Sequence, residues 1–253
     1  KYYVSSSAGN DANNGRTEST PWKTISKVNG RHFSPGDSVF FKKGDVWRET
    51  LKVNSSGIAS SYLFFGSYGN GKEKPGILGS EPAKGWKNMG NNIWKSDKIF
   101  IDPYITSSFK SEIFFEKDDK TVSWGVHKND ISLLNSDYCW SWKEGCIFIF
   151  CNENPDSVFS SVEIPQRDNC IRIGDNSEYI TLSGFNISYA KNINVYDNDP
   201  DLSLSGFTIQ NCFIGYVGSR SDRSGYNVSV ERKDILIKDN NIKEGGRRNI
   251  SFH

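Results

Sequence analysis

The sequence predicts an all-β protein whose strands wind into a parallel β-helix, a solenoid in which every coil adds strands to the same sheets. Three observations predict this class. Residues 170–213 contain two copies of a pattern offset by 22 residues, apolar and polar residues alternate in short stretches of each copy, and Gly, Asn or Asp separates the stretches. Alternation with a period of two is typical of strands. A βαβ unit needs about 30 residues, so stacked coils are the remaining solution.

The apolar positions of the two copies match at the 22-residue offset. The pattern starts again at Asn227, and Asn249 begins a fourth copy 22 residues later. Because one coil cannot bury its apolar face alone, stacked copies should form a continuous core. Gly184 and Gly206 suit corners that need a positive φ. The matched pairs are Ile171 with Ile193, Ile173 with Val195, Ile180 with Leu202, Leu182 with Leu204, Phe185 with Phe207, and Ile187 with Ile209.

A short helix is predicted near the start of the chain. Pro21 suits its first turn and Thr20 its N-cap, and Trp22, Ile25 and Val28 fall on one helical face. The end of a solenoid exposes unpaired strand edges that need a cover. We therefore interpret this helix as an N-terminal helical cap.

The middle of the chain breaks the coil rhythm. Residues 81–165 carry five of the seven Trp residues and strand-like stretches such as Cys146–Phe150, which we interpret as an inserted antiparallel β segment. The predicted organisation is a cap with the first coils over residues 1–80, the inserted segment over 81–165, and regular coils of about 22 residues over 166–253. Because the sequence ends five residues into the fourth copy, we also expect it to be the front part of a longer protein.

Composition narrows the class of protein. The 31 Lys and Arg residues nearly balance the 30 Asp and Glu residues, so the basic excess typical of nucleic-acid binders is missing. No apolar run reaches the roughly 20 residues of a membrane helix. Five cysteines lack the C-x-x-C spacing of zinc sites. They are either buried free thiols or include one bridge among Cys139, Cys146 and Cys151. We expect a monomer that binds no nucleic acid and spans no membrane.

The front of the chain resembles a known group of proteins. YYVSSSAGNDANNG at 2–15, TPWKTI at 20–25 and PGDSVFFKKGDVWR at 35–48 are similar to the N-terminus of secreted, right-handed parallel β-helix proteins of the pectate lyase and chondroitinase B superfamily. The middle, with Trp94 and Tyr138, resembles the insertion that many such chains carry. The resemblance implies a right-handed solenoid that acts on carbohydrates in the extracellular space or the periplasm.

The resemblance does not select one reaction, since the superfamily includes lyases, hydrolases, epimerases and non-catalytic binders. The first expectation is a lyase that cleaves an acidic polysaccharide by β-elimination, the second a non-catalytic glycan-binding or adhesion protein, and the third a glycoside hydrolase. A hydrolase needs two carboxylates about 5–9.5 Å apart, such as Glu231 with Asp234 or Asp239. In related lyases the base is usually Lys, Arg or His, and Ca²⁺ or another Arg supports the charge of the intermediate. The candidate catalytic residues are Arg247, Arg248, His253, Glu231 and Lys238.

The 22-residue offset also predicts outward rows of side chains on one face of the solenoid. These rows are either a site with an acid–base pair and an aromatic sugar platform or an ordinary polar surface. Likewise, Arg247 and Arg248 either grip a sugar carboxylate or form a solvated basic corner. One row holds Arg172, Asn194, Ser229 and Ser251, and the next holds Gly174, Tyr196, Glu231 and His253. The candidate substrate-binding residues are Tyr196, Arg232, Tyr216 and Trp142.

Three carboxylates alternate at one predicted corner. Asp197, Asp199 and Asp201 form an oxygen-rich loop of the kind that suits Ca²⁺. The other interpretation is a plain turn built on Asp, Asn and Pro. Calcium is thus the one cofactor that the sequence suggests.

Overall fold

In the computed structural model, which describes residues 1–104, 110–197, 203–220 and 225–252, strands make up nearly all of the regular structure. The prediction of an all-β protein with parallel sheets is confirmed. In chain order the first elements are β1 (Tyr2–Val4), α1 (Ile25–Asn29), β2 (Ser38–Lys42), β3 (Val46–Trp47), β4 (Leu51–Val53), β5 (Leu63–Tyr68) and β6 (Gly76–Leu78).

The next part of the chain forms mainly antiparallel strands. The sheet β11-β10-β15-β7, named the wall sheet here, is antiparallel throughout, and the sheet β12-β13-β14-β9-β8 is antiparallel except between β12 and β13. Whether this part is a separate domain stays a prediction. Its elements are β7 (Ser80–Ala83), β8 (Lys87–Asn88), β9 (Ile93–Lys95), β10 (Phe114–Glu116), β11 (Val122–Trp124), β12 (Val126–His127), a 3₁₀ helix (Ile131–Leu133), β13 (Cys139–Lys143), β14 (Cys146–Phe150), α2 (Pro155–Val158) and β15 (Ser161–Pro165).

The last part of the chain returns to parallel strands. Three parallel sheets result: sheet 1 (β1-β2-β5-β17-β20-β23), sheet 2 (β3-β6-β18-β21-β24) and sheet 3 (β4-β16-β19-β22-β25). The chain visits them repeatedly in the order 1, 2, 3, which is typical of a β-helix. The remaining strands are β16 (Asn169–Ile173), β17 (Ile180–Ser183), β18 (Asn186–Ser188), β19 (Ile193–Tyr196), β20 (Ser205–Gln210), β21 (Phe213–Gly215), β22 (Tyr226–Val230), β23 (Lys233–Lys238), β24 (Asn241–Lys243) and β25 (Arg248–Phe252).

Apolar side chains from the three sheets share one core. In sheet 1, Ile180 pairs with Phe207, and Phe207 pairs with Ile235. The first two are fully buried, and Ile235 packs against the same core. Because side chains alternate between the two faces of a strand, the neighbours of these three residues within each strand face outward. Stacking therefore buries the apolar face that a single coil would expose.

The coil spacing differs from the predicted offset in most places. In sheet 1, Ile180 pairs with Phe207, so the predicted match with Leu202 is wrong. In sheet 3, Ile171 pairs with Val195 and not with Ile193. The predicted offset does hold between β22 and β25. Loops tolerate different lengths far better than strands do, so no single offset describes every coil.

A row of hydrogen-bonded asparagines runs along sheet 3, in which Asn194 and Asn227 are fully buried and Asn249, at the end of the row, is exposed. Asn194 donates to Asn227 at 2.8 Å, and Asn227 donates to Asn249 at 2.9 Å. Each donor amide also bonds a backbone carbonyl, that of Gly215 or of Lys243, at 2.8 Å. The prediction that Asn194 lies in an outward row is wrong. A buried amide is costly unless its hydrogen bonds are made, and the interior of the coil provides these partners.

The predicted N-terminal helical cap is wrong. Helix α1 begins later than predicted, with Thr24 instead of Thr20 as N-cap, and the Thr24 Oγ1 accepts a bond from the Lys27 amide. Trp22, predicted to be helical, pairs with Val4 beside β1. A five-residue helix is only about 7 Å long. It contacts β4 at the edge of sheet 3 and is too short to cover the ends of all three sheets.

All five cysteines are buried free thiols, so no bridge joins Cys139, Cys146 and Cys151. Burial raises the pKa of Cys170 to about 12 and that of Cys212 to about 11, which keeps both protonated and unreactive at neutral pH. Within the described ranges, no helix is long and apolar enough to cross a membrane.

Candidate functional site

A groove of about 560 Å³ separates the outer face of sheet 2 from the wall sheet. We call it the insertion groove, because the antiparallel strands between β6 and β16 supply one of its sides. Sheet 2 and the turns that follow it contribute the first side, and the wall sheet contributes the second. The residues on the first side include Leu78, Ser188, Tyr189, Phe213, Tyr216 and Lys243, and those on the second include Pro82, Glu116, Val122, Ser161 and Glu163.

Two stacked tyrosines form the floor of the insertion groove. Tyr189 and Tyr216 directly follow β18 and β21, and their rings lie 5.6 Å apart at 19°. Both have a positive φ, 66° and 59°, and the Tyr189 amide bonds the Tyr216 carbonyl at 3.0 Å. Such backbone costs about 1–3 kcal/mol per residue and clusters at functional sites. The Lys243 ammonium lies 5.5 Å from the Tyr216 ring centroid and 5.6 Å from that of Phe213, so a cation borders the aromatic floor.

Glu116 places a carboxylate against this floor. It ends β10, and one of its oxygens accepts a hydrogen bond from the Tyr189 hydroxyl at 3.2 Å. The Lys120 ammonium lies 3.9 Å from the other oxygen, and the Glu116 side chain is 21% exposed. Burial, together with the charges of Glu116 and Glu163, raises the pKa of Tyr189 well above its ordinary value. The phenol therefore stays protonated and remains a donor to Glu116.

Glu163 is a second carboxylate in the wall sheet, and it is almost fully buried. Arg48 binds it through two nitrogens at 2.7 and 3.0 Å, and the hydroxyls of Ser80 and Ser161 donate to it as well. Burial opposes ionisation, but the hydrogen bonds and the charge of Arg48 hold the pKa of Glu163 below its ordinary value. The register places Ser161 opposite Glu116, so Glu116 and Glu163 are diagonal neighbours whose Cα atoms lie about 7–8 Å apart.

Trp124, the last residue of β11, and Arg220 form a further patch in which an indole contacts a guanidinium. The Trp124 ring lies 4.8 Å from Phe114, its Nε1 donates to Glu244 at 3.2 Å, and Arg220 covers it at 4.1 Å. Glu112 attracts Arg220 and accepts from an indole in the core of the inserted segment; burial raises its pKa. This part of the surface therefore combines a carboxyl group that resists ionisation with an exposed cation.

The predicted catalytic residues lie away from the insertion groove. Arg247 donates to the Tyr226 hydroxyl at 3.1 Å, and Arg248 begins β25 in sheet 3. Lys238 ends β23 in sheet 1. Glu231 follows β22 in sheet 3. The structure therefore spreads these candidates over two sheets, and His253 lies outside the described residues.

The predicted substrate-binding residues are similarly dispersed. Tyr196 pairs with Arg172, and not with Gly174 as the predicted row requires, and the guanidinium lies 5.9 Å from its ring. The Trp142 Nε1 donates to the Phe100 carbonyl within the inserted segment. Of the four candidates, Tyr216 lines the insertion groove.

Asp197, the first of the three alternating aspartates, is bound by an arginine. Both carboxylate oxygens of Asp197 accept from Arg232, which also donates to the Ser177 carbonyl, and the pair is fully buried. Asp199 and Asp201 lie outside the described residues. No cluster of three or more His, Cys, Asp or Glu side chains that could hold a metal ion occurs in residues 1–104, 110–197, 203–220 and 225–252. Calcium binding at this row stays a prediction.

Sequence reasoning missed most of the insertion groove. Glu116 and Glu163 were unmarked because they belong to the inserted segment, whose strands carry no repeat. Tyr189 was also missed, although a signal existed. Tyr189 and Tyr216 each follow a short strand, and these two strands pair with each other. The two tyrosines are related by the same offset that relates Ile180 to Phe207 in sheet 1, so the true coil spacing would have matched them.

Comparisons with known proteins point to carbohydrate-active relatives. No protein-family model matches the chain. The chain is similar to the lacto-N-biosidase of Bifidobacterium longum subsp. longum, with 35% identity over 102 residues, which are 36% of this chain and 6% of that protein. The chain thus spans a small fraction of this relative.

Two solved structures share the fold. The complex of XylC with xylose has a TM-score of 0.57 and 16% identity, over 96% of this chain and 53% of that one. A structure described as a glycoside hydrolase has a TM-score of 0.56 and 11% identity, over 92% of this chain and 64% of that one. At these identities the likeness supports the all-β fold with parallel sheets. Membership of the pectate lyase superfamily stays a prediction.

Proposed function

We propose that this chain is part of a glycoside hydrolase and that the insertion groove holds its glycan. The observation that carries the proposal is Glu116, a partly exposed carboxylate that receives a hydrogen bond from Tyr189 above the aromatic floor. Carboxylates beside aromatic rings suit glycosidic bond cleavage, because the carboxyl group transfers the proton while rings contact the apolar face of a sugar. The sequence likeness to a lacto-N-biosidase supports a hydrolase.

In this proposal Glu116 protonates the glycosidic oxygen as its bond to the anomeric carbon breaks, and the resulting carboxylate then takes the proton of the water that adds to that carbon. Glu163 lies diagonally opposite, and Arg48 keeps it ionised.

Hydrolysis now ranks above the two functions that the sequence placed first. A lyase and a glycan-binding protein would both use a groove of this shape, but the lacto-N-biosidase to which the chain is 35% identical over 102 residues is a hydrolase by name. The substrate would be a polysaccharide or oligosaccharide outside the cell, so action in the extracellular space or the periplasm belongs to the same proposal. Adding EDTA to the assay tests the calcium requirement suggested by Asp197, Asp199 and Asp201.

The experiment compares product chemistry with site variants. The protein is incubated with oligosaccharides that contain lacto-N-biose or xylose and with an acidic polysaccharide, and new reducing ends and ultraviolet absorbance are followed. Hydrolysis releases reducing ends without the absorbance of an unsaturated product. We expect Glu116→Gln to slow the release by about 10²–10⁴-fold, whereas Glu231→Gln, on sheet 3, should leave it unchanged.

The outcomes separate the candidate functions. Absorbance that rises with product indicates a lyase and contradicts the proposal. Binding of the oligosaccharides without any product indicates a binding protein. Equal rates for wild type and Glu116→Gln would remove Glu116 from the reaction.

A further inference from the structure

A second cavity, of about 760 Å³, lies at the start of the chain and shares no lining residue with the insertion groove. We call it the N-terminal cavity. It is formed by β1, the loop of residues 11–16, helix α1 and the turn that follows the helix. Its size falls within the range of small-molecule sites, about 300–1,000 Å³.

Positive charge predominates in this lining. Three cations, Arg16, Lys27 and Arg31, face one carboxylate, Asp11. That carboxylate already accepts two backbone amides, at 2.8 and 3.0 Å, and the Thr24 hydroxyl, at 2.8 Å. None of the three cations forms an ion pair within the described ranges. The cavity therefore has an excess of positive charge that an anionic ligand would neutralise.

Tyr2 fixes both arginines. The Arg16 guanidinium lies 4.0 Å from the Tyr2 ring centroid and that of Arg31 lies 5.3 Å from it. Arg31 also donates to the Tyr2 hydroxyl at 2.9 Å. The Tyr2 ring in turn stacks on Trp22 at 4.9 Å, and both rings are almost fully buried. Because a guanidinium held against a ring loses less freedom on binding, the two groups are prepared to bind a carboxylate or a sulfate through paired hydrogen bonds.

We propose that the N-terminal cavity is a second ligand site that takes an anionic sugar, a polyhydroxylated ring that carries a carboxylate or a sulfate. Arg16 and Arg31 would bind the anionic group. Side chains with amide and hydroxyl groups, those of Asn13, Asn14 and Ser26, line the same cavity and would bond the sugar hydroxyls. The site would hold an acidic part of a glycan independently of the reaction in the insertion groove.

Calorimetric titration of the whole chain tests this proposal. The probes are glucuronate, glucose 6-sulfate, glucose and inorganic sulfate. We expect the two anionic sugars to bind, with an affinity that falls as salt is added, and glucose and inorganic sulfate to bind at least about tenfold more weakly. The relative affinities of glucuronate and glucose 6-sulfate show which anionic group the site prefers.

Variants locate the binding. Arg16→Gln combined with Arg31→Gln should weaken glucuronate binding about tenfold or more, whereas Lys87→Gln, an exposed cation in β8, should have no effect. Because Arg16 and Arg31 are exposed, the double variant should keep the wild-type melting temperature. Unchanged binding in the double variant, or equal binding of glucose and glucuronate, would overturn the proposal.

The two sites can be tested separately. Glu116→Gln should keep glucuronate binding even if it abolishes hydrolysis. Loss of glucuronate binding in Glu116→Gln with retention in the double arginine variant would place the anion in the insertion groove and contradict the second site.

Discussion

The surroundings of two arginine–carboxylate pairs make an informative comparison, because only one pair forms part of a groove. Just after the sheet 3 strands β22 and β19, Arg232 and Asp197 are 0% and 1% exposed, and Arg232 lies 5.7 Å from the ring of the core residue Phe207. Beside sheet 2, Glu163 is 3% exposed but its partner Arg48 is 25% exposed and lines the insertion groove. The difference comes from the wall sheet, which faces sheet 2 across an open space. A repeat builds regular faces, and the added strands turn one of those faces into a cleft.

The largest expected effect on stability is at the fully buried pair. Asp197→Ala should lower the free energy of unfolding by about 3–5 kcal/mol, because it leaves the Arg232 charge buried without a partner. Urea denaturation measures the change. The control is Asp197→Leu combined with Arg232→Met, which removes both charges and should recover most of the loss. A loss below about 1 kcal/mol in the single variant would show that water reaches Arg232.

A smaller loss of stability is expected at the Arg48–Glu163 pair, in which Arg48 is partly exposed. Glu163→Gln should cost about 1.5–3 kcal/mol, because it removes charged hydrogen bonds while Arg48 retains access to water. Urea denaturation again measures the loss. Asp197→Asn on sheet 3 is the matched variant. If Glu163→Gln proves the more costly of the two, the comparison of burial between the two pairs is wrong.

The pH dependence of stability tests whether Arg48 keeps Glu163 ionised. The pKa of Glu163 is lower in the folded chain than its ordinary value of 4.5, so its contribution to stability is fully present above pH 4.5 and is lost as the pH falls through the folded-state pKa. The stability difference between wild type and Glu163→Gln should therefore shrink on acidification below pH 4.5. A difference that stays constant would mean that Glu163 is not held ionised by Arg48.

The interior asparagine row gives the next effect. Asn227→Ala should lower the free energy of unfolding by about 1–3 kcal/mol, because the Asn194 side-chain amide loses its acceptor and the Asn249 amide oxygen and the Lys243 carbonyl lose their donor. Thermal unfolding measures it, with the exposed Asn241→Ala as control. A result within about 0.5 kcal/mol of wild type would indicate that water replaces the amide.

The smallest effect on stability is expected at Glu116. Its side chain is partly exposed, so Glu116→Gln should change the free energy of unfolding by no more than about 0.5 kcal/mol, even though we expect the variant to lose activity. Thermal unfolding beside the activity assay separates the two effects. A destabilised Glu116→Gln would reduce Glu116 to a structural role.

The fold class followed from the sequence because alternating apolar residues determine which face of a strand is buried. Ile180 and Leu182 show the limit of that information. Their apolar character predicted a core position, but their true partners are Phe207 and Ile209, which lie further along the chain than the predicted ones, since the loop lengths set the register. The predicted helix around Trp22 was wrong because Trp22 pairs in extended conformation with Val4 of β1. Helix propensity does not include such a contact with a distant part of the chain.

The site could be predicted far less well than the fold. Tyr216 was identified as a candidate, but Glu116 and Glu163 meet the solenoid only through folding of the inserted segment. Their sequence neighbours carry no repeat and no motif. Arg48 and Glu163 bind each other from distant parts of the chain, and such a separation leaves no local pattern to recognise.

The most direct test of the central claim is a map of amide chemical-shift changes when an oligosaccharide containing lacto-N-biose or xylose is added to the isotopically labelled chain. We predict that the changes cluster at Glu116, Tyr189 and Tyr216, on the two sides of the insertion groove. Changes that cluster instead at Arg172, Tyr196 and Arg247 would assign the ligand to sheet 3 and contradict the account.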